Sequence, residues 1–401
     1  MHILIVSQYF WPENFRINDI ALGLKEKGHE VSVLTGIPNY PEGKFFPGYS
    51  FFSQSKDVWN GIPIYRSRQF PRGHNNSVLL ALNYFSFAFF ASWKVLWMKK
   101  KYDRILVYQV SPVFLIIPAL VAKWRWNIPL YINILDLWPE TLASTRQGRS
   151  PILLKSVGAI SDYLYRKADH LLLPFKSCQP ILEKRGVSSH KMSYLPNSID
   201  DFYLPVPPDA HFEHLFTGET HLLLTGNLGE AQGIPLIIDA ANQLKSKYPR
   251  LRWILVGEGR SRKELEQLVK DKGLTQVVSF PGRFPASVMP ALIARADASL
   301  LTLKKEPIFA ITVPNRLQSY MACGKPILAS IDGEAASIIS AAKCGLVAPA
   351  GDLPEFISIV EKFMETSSEE RIIWGDNARG YFLTHFERNK ILDQLDELLL
   401  M

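Results

Sequence analysis

Short apolar runs recur along the whole chain at spacings that leave room for a helix between most of them. They fall at residues 3 to 6, 31 to 34, 105 to 108, 130 to 134, 171 to 173 and 192 to 195, then at 222 to 225, 253 to 256, 277 to 280, 299 to 303, 326 to 329 and 345 to 348. Strands that alternate with helices make a parallel sheet with right-handed crossovers. At 401 residues the chain exceeds one ordinary core. The alternation pauses at Leu195-Pro-Asn-Ser-Ile-Asp-Asp-Phe-Tyr-Leu-Pro-Val-Pro-Pro208, where four prolines resist helix and strand alike. The expected fold is therefore α/β, with two doubly wound Rossmann-like domains facing a cleft. The expected divisions are 1 to 200, a linker at 201 to 218, a second domain at 219 to 384 and a closing helix at 385 to 401. That helix carries Ile391, Leu392, Leu395, Leu398 and Leu399 on one stripe and is expected to pack across the domains.

In the second half the stretch Leu222-Leu-Leu-Leu-Thr-Gly-Asn-Leu-Gly-Glu-Ala-Gln-Gly233, followed by Ile234 and Pro235, reads as a buried strand, a tight turn and a helix start. Free backbone N–H groups and the helix dipole make such a turn a seat for phosphate, although glycines also end strands for steric reasons. Val256-Gly-Glu-Gly-Arg-Ser-Arg262 carries part of a dinucleotide fingerprint, but Arg262 stands at the third glycine position, which argues against a dehydrogenase. In Val313-Pro-Asn-Arg-Leu-Gln-Ser-Tyr320, Pro314 suits a first helical turn and Arg316 can meet an anion. Glu334 lies just beyond a strand, where a carboxylate can accept hydroxyl hydrogen bonds from a sugar.

Ligands of doubly wound domains collect beyond the carboxyl ends of the strands. In the first half this draws attention to Ser7-Gln-Tyr-Phe-Trp-Pro-Glu-Asn-Phe-Arg16, where Asn14 could cap a helix and Arg16 could meet an anion. It also singles out Asn133-Ile-Leu-Asp-Leu-Trp-Pro-Glu140, where Leu137 and Trp138 could hold the Asp136 carboxylate in a partly dry setting. Glu140 is a weaker candidate, since a carboxylate there also serves as a cap.

Between these loops lies Val78 to Met98, apolar and aromatic over 21 residues and followed by Lys99, Lys100 and Lys101. Asn83, Ser86, Ser92 and Lys94 interrupt it, and a membrane span would break the alternating fold. It is expected to be a helix with one buried face, with aromatics and lysines either turned to a membrane surface or packed in the core. A second basic amphipathic helix is expected at 149 to 167, with Arg149, Lys155, Arg166 and Lys167 on its polar side.

The net charge of +7 favours anionic partners: nucleotide-sugar phosphates, an acidic membrane surface or nucleic acid. Nucleic acid fits worst, because the basic residues are dispersed rather than gathered in a stripe. Three cysteines, Cys178, Cys323 and Cys344, show no spacing for a disulfide framework or a zinc site. They are expected to be reduced, in the cytoplasm. The opening Met-His-Ile-Leu-Ile-Val-Ser reads as a first strand rather than a signal peptide.

Taken in order, Ile3-Leu-Ile-Val-Ser-Gln-Tyr-Phe-Trp-Pro-Glu-Asn14, Asp136-Leu-Trp-Pro-Glu140, Gly226-Asn-Leu-Gly-Glu-Ala-Gln-Gly233 and Tyr320-Met-Ala-Cys-Gly-Lys-Pro-Ile327 resemble glycosyltransferase family 4, in particular its bacterial surface-polysaccharide branch. The resemblance runs from residue 1 to about 400 and implies the GT-B architecture. It implies sugar transfer with retention at the anomeric carbon, with no bound metal and no other cofactor. The donor would be a nucleotide sugar, expected to be UDP-linked and to carry an N-acetylated or deoxy hexose. It would lie in the second domain against Asn227, Gln232, Gly233, Gly257, Asn315, Arg316 and Glu334, with Phe284 near the base. The acceptor, a lipid-linked saccharide or an oligosaccharide, would meet Asn14, Arg16 and Trp138, with Asp136 and Glu13 as the catalytic carboxylates. Many relatives place two glutamates eight positions apart where this chain has Ile311 and Ser319, and an Arg and a Lys where it has Asn227 and Gln232. Their usual Pro-Ser-Lys is here Pro314-Asn315-Arg316. The place implied is cytoplasmic, with peripheral attachment at the inner membrane face, in O-antigen, capsule or exopolysaccharide assembly. The alternatives are a UDP-sugar epimerase of the same architecture and a non-catalytic nucleotide-sugar binding protein.

Overall fold

The computed structural model describes residues 1–53, 55–74, 76–99, 102–143 and 150–401. Lys100, Lys101 and Arg149 lie outside them. By internal contacts the chain divides into two units, Met1–Pro196 with Leu392–Met401, and Asn197–Ile391.

The strands of the first unit are β1 (His2–Val6), β2 (Glu30–Thr35), β3 (Lys56–Trp59), β4 (Ile62–Arg66), β5 (Arg104–Gln109), β6 (Leu130–Ile134), β7 (His170–Leu173) and β8 (Met192–Tyr194). They form one sheet in the order β3-β4-β2-β1-β5-β6-β7-β8. β1 is central: Ile3 lies opposite Val31 of β2 on one side and Arg104 of β5 on the other, both in parallel register. Each apolar run expected as a strand is one, because a run covered on both faces gains burial at every residue. Ile3, Leu4, Ile5 and Val6 are fully buried.

The hairpin β3–β4 is the exception to the parallel plan. It is antiparallel and turns at Asn60-Gly61, both at positive φ, the geometry that an Asn-Gly hairpin turn requires.

The strands of the second unit are β9 (Thr220–Thr225), β10 (Leu251–Val256), β11 (Val278–Gly282), β12 (Ala298–Thr302), β13 (Ile327–Ser330) and β14 (Gly345–Ala348), in the order β11-β10-β9-β12-β13-β14. The order reverses at β9, which pairs with β10 and β12 in parallel. The helix Ile234–Leu244 follows β9 and buries Ile237, Ile238, Ala241 and Leu244 against the sheet, the face expected from their spacing.

The helix Ser77–Trp97 is capped by Asn76, whose side chain accepts the N–H groups of Val78 and Leu79. By length and composition it could cross a membrane, and a third of its apolar window is buried. Phe87, Ala88, Ala91 and Val95 face inward, whereas Phe85, Phe89, Trp93 and Trp97 are exposed. Lys94 does not join the outer face: Nζ donates to the Ser55 and Arg66 carbonyls at 3.1 and 3.0 Å, and burial lowers its pKa to about 8. The second amphipathic helix spans Pro151–Lys167 and starts from Ser150, whose hydroxyl accepts the Leu153 N–H.

The last helix, Arg388–Leu400, buries Leu392, Leu395 and Leu399. Leu392 fills the space left by Gly23, where a β-carbon would come within 2.4 Å of its Cδ1. Polar ties fix the same helix: His29 with Asp396 at 2.7 Å, Lys27 with Asp393, and Arg104 Nε donating to the Leu399 carbonyl at 3.0 Å.

Candidate functional site

Three strand ends meet in the second unit. The Gly226 N–H donates to the Val256 carbonyl at 2.9 Å, the Gly257 N–H to Gly282, and the Leu228 N–H to Glu258, all at 2.9 Å. Gly257 has φ +149° and a β-carbon there would lie 1.7 Å from the Gly226 carbonyl oxygen, so no other residue permits this approach. The stitching holds the loop from Gly226 to Gly233 against the ends of β9, β10 and β11. The loop then passes through Gly233, at φ +61°, into Ile234–Leu244, whose first N–H groups have no helical partners.

Arg316 stands beside this loop. It is in the first turn of the helix Asn315–Ala322, and a β-carbon on Gly226 would come within 3.0 Å of its Nη2. Its Nη1 is buried with no hydrogen-bond partner among the described residues, and burial lowers the pKa of the guanidinium. Tyr320, one turn on, is fully buried and its hydroxyl accepts the Thr225 N–H at 2.8 Å, which ties this helix to the end of β9. A buried cation without a counter-ion costs free energy unless an anion completes it.

The other residues expected to meet a donor are spread around these two features. Asn227 is exposed on the loop, and Gln232 is half-buried, with its backbone carbonyl accepting from Thr302 Oγ1 at 2.5 Å. Asn315 is exposed at the first helical position. Glu334 opens the helix Glu334–Ala342 after Gly333, where a β-carbon would lie 1.8 Å from the Ala310 carbonyl oxygen. That approach puts Glu334 beside the segment leading into Arg316. Phe284 meets Phe212 edge-to-face at 5.7 Å. At the departures from the family pattern, Ile311 ends the short helix Pro307–Ala310, and Ser319 donates to the Asn315 carbonyl at 3.2 Å.

In the first unit Asp136 follows β6 and is held from β5. Its Oδ2 accepts both the Ser111 N–H at 2.8 Å and the Ser111 hydroxyl at 2.7 Å, and Gln109 Nε2 donates to its backbone carbonyl at 2.9 Å. Among the described residues Oδ1 receives no hydrogen bond. The carboxylate is thus oriented with one oxygen open. Trp138 is buried, and its Nε1 donates to Ser111 Oγ at 3.2 Å, so it acts here as a strut under the loop. Ser111 and Gln109 were not among the expected residues; the signal available was their position directly after the run 105 to 108. Glu140 is taken up by Arg185, at 3.0 Å, which also holds Asp162.

Glu13 is buried at 2 % exposure. Its Oε1 accepts the N–H groups of Asn39 and Tyr40 at 2.8 and 2.7 Å, and Oε2 that of Phe10 at 3.3 Å. The carboxylate therefore joins two strand-end loops. Burial pushes its pKa up to about 7, against the lowering by those N–H groups and Arg66. Asn14 does not cap the helix Arg16–Glu26: the cap position is Phe15, without a side-chain hydrogen bond, and Asn14 is exposed. Arg16 opens that helix and pairs with Asp19 at 3.8 Å.

Because the folded pKa of Glu13 lies above its usual value, the folded state holds this proton while the unfolded chain has lost it. Its contribution to stability is complete below about pH 4.5 and falls as pH rises towards 7. Glu13→Gln keeps an acceptor for Asn39 and Tyr40 and does not titrate. Wild type minus variant unfolding free energy should drop by about 1 to 3 kcal/mol from pH 5 to 8, measured by urea denaturation. A pH-independent difference would show that Glu13 does not titrate in this range.

Among the described residues no group of three or more His, Cys, Asp and Glu is placed to hold a metal ion. Cys178, Cys323 and Cys344 are buried free thiols.

Two family models match successive parts of the chain: "Glycosyl transferase 4-like domain" over residues 14–198 and "Glycosyl transferases group 1" over 208–381. The putative colanic acid biosynthesis glycosyl transferase WcaI of Escherichia coli is 24% identical over 345 residues, 81% of this chain and 82% of that protein. The probable glycosyltransferase WbjE of Pseudomonas aeruginosa is 23% identical, over 74% of this chain and 75% of that one. Among solved structures, Anabaena HepE in complex with UDP superposes with TM-score 0.75 at 18% identity, covering 100% of this chain and 99% of that one. With one model on each doubly wound unit and relatives of the same kind matched over 75 to 82% of their length, the chain belongs to the family 4 glycosyltransferases of GT-B fold and is an enzyme of that class.

Proposed function

We propose that the protein transfers a sugar from a nucleotide diphosphate sugar, UDP-linked, to a lipid-linked saccharide in surface-polysaccharide assembly, at the cytoplasmic side of the membrane. The observation that carries the donor half is Arg316, a half-buried side chain whose buried Nη1 has no partner among the described residues, beside the glycine loop. The N–H groups of the loop and helix start supply the further donors that a diphosphate uses. The UDP bound in the HepE neighbour and the colanic acid biosynthesis relative WcaI support this choice.

In the reaction the acceptor oxygen forms a bond to the anomeric carbon, the bond from that carbon to the diphosphate oxygen breaks, and the acceptor proton leaves with the departing side. Negative charge grows on the diphosphate. Arg316 and the preorganised N–H groups stabilise it, in place of a metal ion. Asp136, in the acceptor unit, orients and polarises the acceptor hydroxyl through its open Oδ1. The configuration is retained, and no side chain is assigned as nucleophile. Glu13 serves by positioning the loops around Tyr40 rather than by proton transfer.

The test is transfer of radiolabelled sugar from UDP-sugars, with a chelator present, into solvent-extractable lipid of polysaccharide-producing bacteria. Label should enter the lipid with wild-type protein and stay in the donor with Asp136→Asn. Release of interconverted UDP-sugar instead of transfer would establish an epimerase.

A further inference from the structure

One cationic side chain of the first unit is used by nothing described so far. Arg72 is half-buried, donates Nη1 to the Tyr9 hydroxyl at 3.3 Å and lies 5.3 Å from the centre of the Tyr40 ring. Tyr9 and Tyr40 are themselves 5.5 Å apart. No carboxylate pairs with Arg72 among the described residues. Its position is fixed from behind by a buried polar network: its own N–H donates to Asn39 Oδ1 at 3.0 Å, Asn83 Nδ2 donates to the Phe70 carbonyl at 2.6 Å, and Gln8 Nε2 to Asn83 Oδ1 at 2.8 Å. Tyr84, next to Asn83, lies within electrostatic reach of both Arg72 and Asp136. An immobilised guanidinium ringed by phenols, with no acid to neutralise it, has the donors of an anion subsite.

The surroundings say what kind of anion. Tyr84 sits on the helix Ser77–Trp97, whose outer face exposes Leu82, Phe85, Phe89, Trp93 and Trp97 at three- and four-residue intervals. From Val58 to Leu135 the sequence has ten Lys and Arg residues and one acid, Asp103. Asp103 accepts the His2 N–H at 2.7 Å. A half-buried guanidinium beside an apolar helix face suits a ligand with a phosphate at one end and a hydrocarbon chain at the other.

We infer that Arg72, with Tyr9, Tyr40 and Tyr84, binds the phosphate that links the acceptor sugar to its lipid, while the lipid chain lies along the exposed face of Ser77–Trp97. The inference rests on the lipid-linked acceptor proposed above and adds the group that recognises it. Arg72 is here a binding residue, and Asp136 acts on the sugar hydroxyl beyond the phosphate.

The test is calorimetric titration of the full chain, saturated with UDP, with farnesyl diphosphate, inorganic pyrophosphate and farnesol. It compares wild type with Arg72→Gln and Arg72→Lys. Farnesyl diphosphate should bind wild type at least tenfold more tightly than Arg72→Gln, with Arg72→Lys between them and farnesol indifferent to all three. Pyrophosphate binding as tightly as farnesyl diphosphate, with the same dependence on Arg72, would keep the phosphate subsite and assign it to a soluble phosphorylated acceptor. Farnesyl diphosphate binding unchanged in Arg72→Gln would overturn the inference. UDP affinity, measured separately, should be the same in all three proteins; failure of wild type to bind UDP would count against the donor reading and leave the Arg72 comparison standing.

Discussion

Arg316→Met is expected to weaken nucleoside diphosphate binding by about 10- to 100-fold and, at the same time, to raise the melting temperature of the ligand-free protein. The first effect follows from removing a charge-assisted donor to phosphate, worth about 1.5 to 3 kcal/mol when desolvated. The second follows from the unpartnered Nη1: among the described residues no carboxylate neutralises this half-buried cation, and an apolar side chain of similar length removes the cost of its buried N–H groups. A gain of about 1 kcal/mol corresponds to about 2 to 4 °C for a domain of this size. Opposite signs for affinity and stability separate a ligand-binding arginine from a structural one. A structural arginine would lose stability on substitution, and calorimetry with UDP beside a thermal melt reads both effects.

Asp136→Asn is expected to lower the turnover number by about 100- to 10,000-fold while leaving UDP affinity unchanged. The substitution is close to isosteric. The amide oxygen can still accept from the Ser111 N–H and hydroxyl, so the loop should keep its conformation. What is lost is the negative charge on the open oxygen, the part proposed to act on the acceptor. The two variants thus divide the reaction: Arg316 lies in the unit assigned to the donor and Asp136 in the unit assigned to the acceptor. Steady-state kinetics with wild-type acceptor affinity but unchanged turnover in Asp136→Asn would remove Asp136 from the chemistry.

The fold was largely legible because buried parallel strands are uniformly apolar, and each such run marks itself. β3 and β4 escaped for the opposite reason. They form an edge hairpin with alternating burial, and Lys56, Asp57 and Pro63 break any apolar run. Asn60-Gly61 was the local sign that could have revealed the turn. Among site residues, Asp136 could be picked out because it closely follows a strand, and Arg316 because Pro314 marks the start of its helix. Their environments could not: that Nη1 lacks a partner, or that Ser111 grips one oxygen of Asp136, depends on contacts across 25 residues or more. Glu13 shows the same limit. Its sequence neighbours resemble a catalytic loop, yet its carboxylate is occupied by backbone N–H groups from Asn39 and Tyr40. The helix Ser77–Trp97 packs one face inward and exposes the other, a division that its near-continuous apolar composition does not mark.

The most direct test of a metal-free donor site is titration of the wild-type protein with UDP, GDP, dTDP and CMP in the presence of a chelator, followed by heat of binding. UDP should saturate a single site with the same affinity with and without added magnesium, and the heat should disappear in Arg316→Met. Binding that required the metal, or UDP bound equally by wild type and Arg316→Met, would contradict this reading.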